Sequence, residues 1–156
     1  MLIEIQCDKF VSNGQMRSPI KFHLGLNAIL GDEDKPNSIG KSTLLMILDF
    51  VFGGDDYIKK CADVHENVLD HTINFIFEFK NKKYYFARNS VDYMHVSKCN
   101  SNYKPLEEVE KLHIDEYRDF LAENYEVNTE GLSWRGAMSK FIRVYKRETM
   151  DEERPL

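Results

Sequence analysis

The residues with the most specific chemistry are Asn37-Ser38-Ile39-Gly40-Lys41-Ser42-Thr43. A polyphosphate needs several backbone N–H groups converging on it. A loop that feeds a helix N-terminus supplies them, together with the positive end of the helix dipole. In such a loop Gly40 lets the main chain approach closely, Lys41 reaches the β- and γ-phosphates, Ser42 offers its hydroxyl to Mg²⁺, and Thr43 binds toward the α-phosphate. The usual pattern has a glycine five residues before the glycine of Gly-Lys-Ser, and Lys35 stands at that place. Gly31 lies four residues earlier still, so Asp32-Glu33-Asp34-Lys35 reads as an enlargement of the loop. Its three carboxylates would repel a nucleotide unless they point outward or help to hold the metal.

The elements around this segment are those a phosphate loop requires. Upstream, Ile3 and Ile5 alternate with Glu4 and Gln6, and Ile20, Phe22 and Leu24 repeat the period of two, which predicts two short strands. Ser12-Asn13-Gly14 and Ser18-Pro19 supply turns between them, so the strands are expected antiparallel in one small sheet. A third strand, Leu26 to Leu30, is expected to run into Gly31. Downstream, Leu44, Ile47, Leu48 and Val51 have the spacing of a helix with one buried face, and Gly53-Gly54 ends it. Residues 55–70 read as a polar surface excursion. Ile73, Phe75, Phe77 and Phe79 then share a strand face, Asn81-Lys82 turns the chain, and Tyr84 to Ala87 and Tyr93 to Val96 continue a meander, expected as a second antiparallel sheet. Asp115 to Tyr125 is expected to be a helix with Tyr117, Phe120 and Leu121 inward. A last helix from Ser133 has Trp134, Met138, Phe141, Ile142 and Tyr145 on one side and Lys140, Arg143 and Arg147 on the other.

The strand order and the Leu26-Asn27-Ala28-Ile29-Leu30-Gly31 stretch, followed by Asn37 through Leu45, resemble the N-terminal lobe of ABC-type ATPase heads of the SMC, RecN and RecF class. The likeness reaches back to Phe10 and the opening strands, and Asp49-Phe50-Val51-Phe52-Gly53-Gly54 fits the RecN-like bacterial subgroup with an enlarged phosphate loop. Residues 1–54 carry the specific likeness and 71–98 agree in pattern. The resemblance implies an α/β P-loop NTPase fold in a single lobe over 1–156, with strands, P-loop and helix over 1–54, an antiparallel β subdomain over 71–98 and a helical segment over 113–147. It implies ATP and Mg²⁺ as ligands, Asn37 to Thr43 as the Walker A site with Ser42 on the metal, and a role in DNA maintenance or defence against foreign DNA.

In that family two heads sandwich two ATP molecules, and the C-terminal half brings the signature loop, the Walker B carboxylates and the switch histidine. No Leu-Ser-Gly-Gly-like string occurs here. Leu112-His113-Ile114-Asp115-Glu116, the only apolar segment ending in Asp-Glu, reads as a helix start, and Gln6 and Gln15 both precede the phosphate loop, which leaves the Q-loop glutamine unassigned. No catalytic residue is therefore assigned. The chain alone is expected to bind ATP without efficient hydrolysis, its partners being the C-terminal half, a second head and, through the complete protein, DNA.

Twenty-one Lys and Arg against 26 Asp and Glu give a net charge of -5, so any nucleic-acid contact must be local, and the basic helix face is the candidate. Its alternative is a solvated face paired with Glu148, Asp151 and Glu152. Three scattered cysteines, Cys7, Cys61 and Cys99, read as reduced thiols of a cytoplasmic protein. The longest apolar run, Leu44 to Leu48, is far short of the ~20 residues of a membrane span, and Glu4 and Asp8 stand where a signal peptide would be cationic and then apolar. Cys61, His65 and His71, with Asp63 and Asp70 nearby, match no zinc-finger spacing and read as loop residues. His23, His95 and His113 read as structural. Two other function classes remain: a small P-loop phosphotransferase, which the aromatic meander opposes, and a non-catalytic module that keeps the fold. A GTPase is weaker, because Asn81-Lys82 is followed by Lys83-Tyr84 and not by the guanine signature.

Overall fold

Alternation of aromatic and polar residues builds the centre of the molecule. A computed structural model describes residues 1–12, 14–29, 39–61, 66–106, 111–127 and 131–141. In it β5 (Thr72–Phe79) buries Ile73, Phe75, Phe77 and Phe79 on one face. Lys80 and Asn81 both take positive φ, 49° and 63°, which is the backbone of a tight two-residue hairpin. The turn thus sits one residue earlier than Asn81-Lys82, and it sets the register Phe79↔Lys82 through Thr72↔Asn89 with β6 (Lys82–Asn89). β7 (His95–Cys99) and the two-residue β8 (Leu112–His113) extend the meander.

The opening strands join this meander. β1 (Leu2–Gln6) pairs antiparallel with β5 on one side and with β4 (Ile20–Lys21) on the other, giving one six-stranded sheet in the order β4-β1-β5-β6-β7-β8, every described pair antiparallel. The opening strands and the aromatic meander therefore share one sheet and do not form the two sheets expected. β2 (Val11–Ser12) and β3 (Gln15–Met16) make a small separate hairpin. A register shift between Leu2 and Glu4 opposes two residues of β1 to one of β5, and such a bulge moves the alternation by one. Leu2 and Ile5 are consequently the buried pair, where strict alternation predicts Ile3 and Ile5.

The expected strand at Leu26 is absent over the described residues 26–29. Gly25 has φ +89°, and the Asn27 side chain closes a turn there, accepting from His23 N at 3.0 Å and donating to His23 O at 2.8 Å. Leu24 and Leu26 are left 83% and 87% exposed, so their apolar alternation does not mark a strand.

One face of the sheet carries the helices. α1 (Ile39–Val51) buries Ile47 and Val51 of the expected stripe together with Met46 and Phe50, while Leu44 and Leu48 are half-buried. α2 (Asp56–Lys60) lies within the expected surface excursion but buries Tyr57 completely. α3 (Ile114–Asn124) starts where Asp115-Glu116 reads as a helix start, with His113 as its N-cap in a reciprocal box with Glu116, and buries Ile114, Tyr117 and Leu121. α4 (Trp134–Phe141) buries Trp134 and Ala137, and the Ser133 hydroxyl accepts from Gly136 N at 3.1 Å. Ile142, Arg143, Tyr145 and Arg147 lie outside the described residues. Phe75, Phe77 and Phe86 are closed over by Phe52 of the α1 exit, Tyr117 and Phe120, at ring separations of 5.4–6.2 Å. Each such fully buried ring contributes ~1.5–3 kcal/mol relative to exposure.

Candidate functional site

The described part of the Gly-Lys-Ser-Thr segment begins α1. Gly40 is its second residue, and a Cβ built there meets no described atom within 4 Å. Lys41 and Thr43 are half-buried and Ser42 is exposed. Ile39 lies in the helix, while Asn37 and Ser38, with the carboxylates Asp32 to Asp34, lie outside the described residues. The first turn contains no acidic residue, so no carboxylate of the turn itself offsets the positive end of the helix dipole.

A cavity of about 350 Å³ opens beside this turn, between the end of β1 and the β2–β3 hairpin. Gly40, Thr43, Cys7, Lys9, Phe10 and Arg17 contribute to its wall. Two cations and an aromatic ring therefore stand beside the Gly-Lys-Ser-Thr turn, in a volume within the ~300–1,000 Å³ common for ligand pockets. Burial in the wall pushes the Cys7 thiol up to about 11, so it is protonated at neutral pH and lends no negative charge. Sequence reasoning missed Lys9 and Arg17 as neighbours of this turn. The turn residues between β2 and β3 were legible, but not that this hairpin and the first turn of α1 share a cavity wall.

The opposite end of α1 is closed by the chain itself. Gly53, at φ +85°, donates to Phe50 O, and Gly54 N donates to Asp49 O, the paired bonds of a Schellman stop. Side chains from three other elements then reach the carbonyls. Arg88 of β6 donates to Phe50 O at 2.5 Å and Gly54 O at 2.8 Å. Tyr117 of α3 donates to Val51 O at 2.7 Å and Trp134 of α4 to Phe52 O at 2.9 Å. Arg118 donates twice to Gly53 O, at 3.1 and 2.8 Å. Arg135 reaches Asp49 at 2.8 Å. Burial pulls the Arg88 guanidinium down to about 10, still charged at neutral pH, and its plane lies over the Phe50 ring at 3.9 Å.

The remaining constellations are used within the fold. Glu116 accepts from His113 N at 2.8 Å and Asp115 from Arg118 at 2.9 Å, so both carboxylates serve the start of α3. Buried His71 contacts Leu69 O at 2.6 Å and Tyr57 Oη at 2.8 Å, and Cys61 donates to Met46 Sδ. His65 and Asp63 lie outside the described residues. Among the described residues no group of three His, Cys, Asp or Glu is placed to hold a metal ion. A second cavity, about 640 Å³, occupies the other face of the sheet where small Ala87 sits in register between Asn74 and Ser97. Much of its polar rim is occupied by its own bonds: Asp92 to His95 and Lys111, Asn89 to Asp70, and Tyr103 to Glu4. Among the described residues no helix is long and apolar enough to cross a membrane.

No protein-family model matches the chain, and no curated protein matches it.

Proposed function

We propose that this chain is the ATP-binding lobe of an ABC-type ATPase head of the SMC, RecN and RecF class, a cytoplasmic protein of DNA maintenance or defence against foreign DNA. Hydrolysis then requires a C-terminal half and a second head. The observation that carries the reading is the position of Gly40-Lys41-Ser42-Thr43 in the first turn of an amphipathic helix, beside a cavity edged by Lys9 and Arg17. Gly40 opens the main chain to the phosphates, Lys41 neutralises the β- and γ-phosphates, and Thr43 binds toward the α-phosphate. The Ser42 hydroxyl, exposed at the turn, is the group that holds Mg²⁺, which when bound spreads the phosphate charge.

The antiparallel order of the described strands favours this lobe over a small phosphotransferase, whose phosphate loop is normally followed by parallel βαβ units. Slow turnover follows from the carboxylates. Phosphoryl transfer needs a positioned water and charge stabilisation at the γ-phosphate, and Asp115 and Glu116 are engaged at the start of α3.

Calorimetry with Mg²⁺ and ATP, GTP or ADP tests the proposal. ATP is expected to bind the parent chain, and Lys41→Ala is expected to abolish binding with an unchanged unfolding midpoint. Equal affinity in both proteins would remove the phosphate site.

A further inference from the structure

Among the described residues two buried charged side chains each keep one polar atom without a partner, and both border Gly54. Asp49 of α1, 5% exposed, meets Arg135 through Oδ1, while its Oδ2 is unsatisfied. Arg88 of β6, 1% exposed, spends Nε on Tyr93 O and Nη1 on Phe50 O and Gly54 O, while its Nη2 is unsatisfied. Such atoms are rare in folded proteins, because each has given up hydration without replacement. These two are opposite in charge. Asp49 Oδ2 occupies the place of the Cβ that Gly54 lacks, 1.7 Å from where it would stand, and Arg88 holds the carbonyl of the same residue.

We infer that Asp49 is a pivot with two alternative partners: held by Arg135 it docks α4 onto α1, and turned to Arg88 Nη2 it lets α4 go. Arg135 is partly exposed, with a side chain 32% accessible, so its bond to Asp49 is the weaker member of the exchange. Turning the carboxylate inward satisfies both orphaned atoms at the cost of that one bond. Among the described residues α4 is otherwise fastened by Trp134, whose indole donates to Phe52 O and packs 5.5 Å from the Tyr125 ring and 6.3 Å from that of Phe52, by buried Ala137 and by Met138 against the core. This small attachment is what the pivot controls, and it stands or falls independently of any nucleotide.

The sign of one substitution decides the matter. In an Arg135→Met chain the pivot pairs Asp49 with Arg88, so adding Asp49→Asn is expected to lower the folding equilibrium constant about tenfold, as loss of a charged hydrogen bond does. Without the pivot the same addition removes a stranded buried charge, and a neutral or stabilising effect in urea unfolding would overturn the inference. Should the double variant not fold, the guanidinium proton signals of Arg88 in Arg135→Met alone are decisive. Nη2 protons that shift downfield and exchange more slowly than in the parent support the pairing, and unchanged ones refute it.

Discussion

At the C-terminal end of α1 the five consecutive carbonyls from Phe50 to Gly54 each accept a side-chain hydrogen bond, from Arg88, Tyr117, Trp134 or Arg118. At its N-terminal end the first turn holds Gly40, exposed Ser42 and no carboxylate, and it borders a cavity with Lys9 and Arg17 in the wall. A helix leaves N–H groups at one end and C=O groups at the other without intrahelical partners, and its dipole favours cations at the second and anions at the first. The chain brings its own cations to the negative end. At the positive end it gathers further cations, an arrangement that suits an anion from outside. The contrast teaches that α1 is anchored at one end by the chain's own side chains, while the other end is where the proposed function places the nucleotide.

The largest effect is expected at the anchored end. Arg88→Met leaves the carbonyls of Phe50, Gly54 and Tyr93 without their guanidinium donor, offset in part by relief of burying a charge, and should lower stability by about 2–4 kcal/mol in urea unfolding. A change under ~0.5 kcal/mol would break the comparison, since the anchor would then be idle.

Charge reversal at the open end should do the opposite. Lys9→Glu with Arg17→Glu is expected to weaken Mg–ATP binding about tenfold or more while moving the unfolding midpoint little, because exposed charges contribute only ~0–1 kcal/mol to stability. Loss of stability with unchanged binding would assign the two cations to the fold.

The smallest effect concerns the far face of the sheet, closed like the anchored end by its own pairs. Hydrogen bonds from Lys111 and His95 hold the Asp92 carboxyl below its usual value. A carboxylate with a depressed folded pKa contributes stability that is complete above its unfolded value of ~3.9 and is lost as the pH falls through the folded value. Asp92→Asn should therefore lower the urea midpoint slightly at pH 7, by the small contribution of an exposed pair, and flatten its fall below about pH 4. An unaltered acid limb would show that the pairing does not contribute.

The sequence was most legible where one short-range period governs a whole element. Ile73 to Phe79 gives a strand, and Leu44 to Val51 gives a helix stopped at Gly53, because neighbours on one face report burial directly. It was less legible where a single residue changes the phase, as at the β1 bulge, or where side chains close a turn, as Asn27 does around Gly25. The union of both strand groups into one sheet rests on the β1–β5 pairing across some seventy residues, which no local pattern encodes. The anchor left one overlooked signal. Phe86 and Arg88 share a face of β6 by the period of two, which placed a guanidinium on the core side of the strand.

Backbone amide shifts on addition of Mg–ATP read both ends of α1 in one experiment. Large changes are expected at the amides of Gly40, Lys41, Ser42 and Thr43, abolished in Lys41→Ala, with the amides from Phe50 to Gly54 nearly still. Unmoved amides from Gly40 to Thr43 at saturating nucleotide would contradict a nucleotide site at this turn.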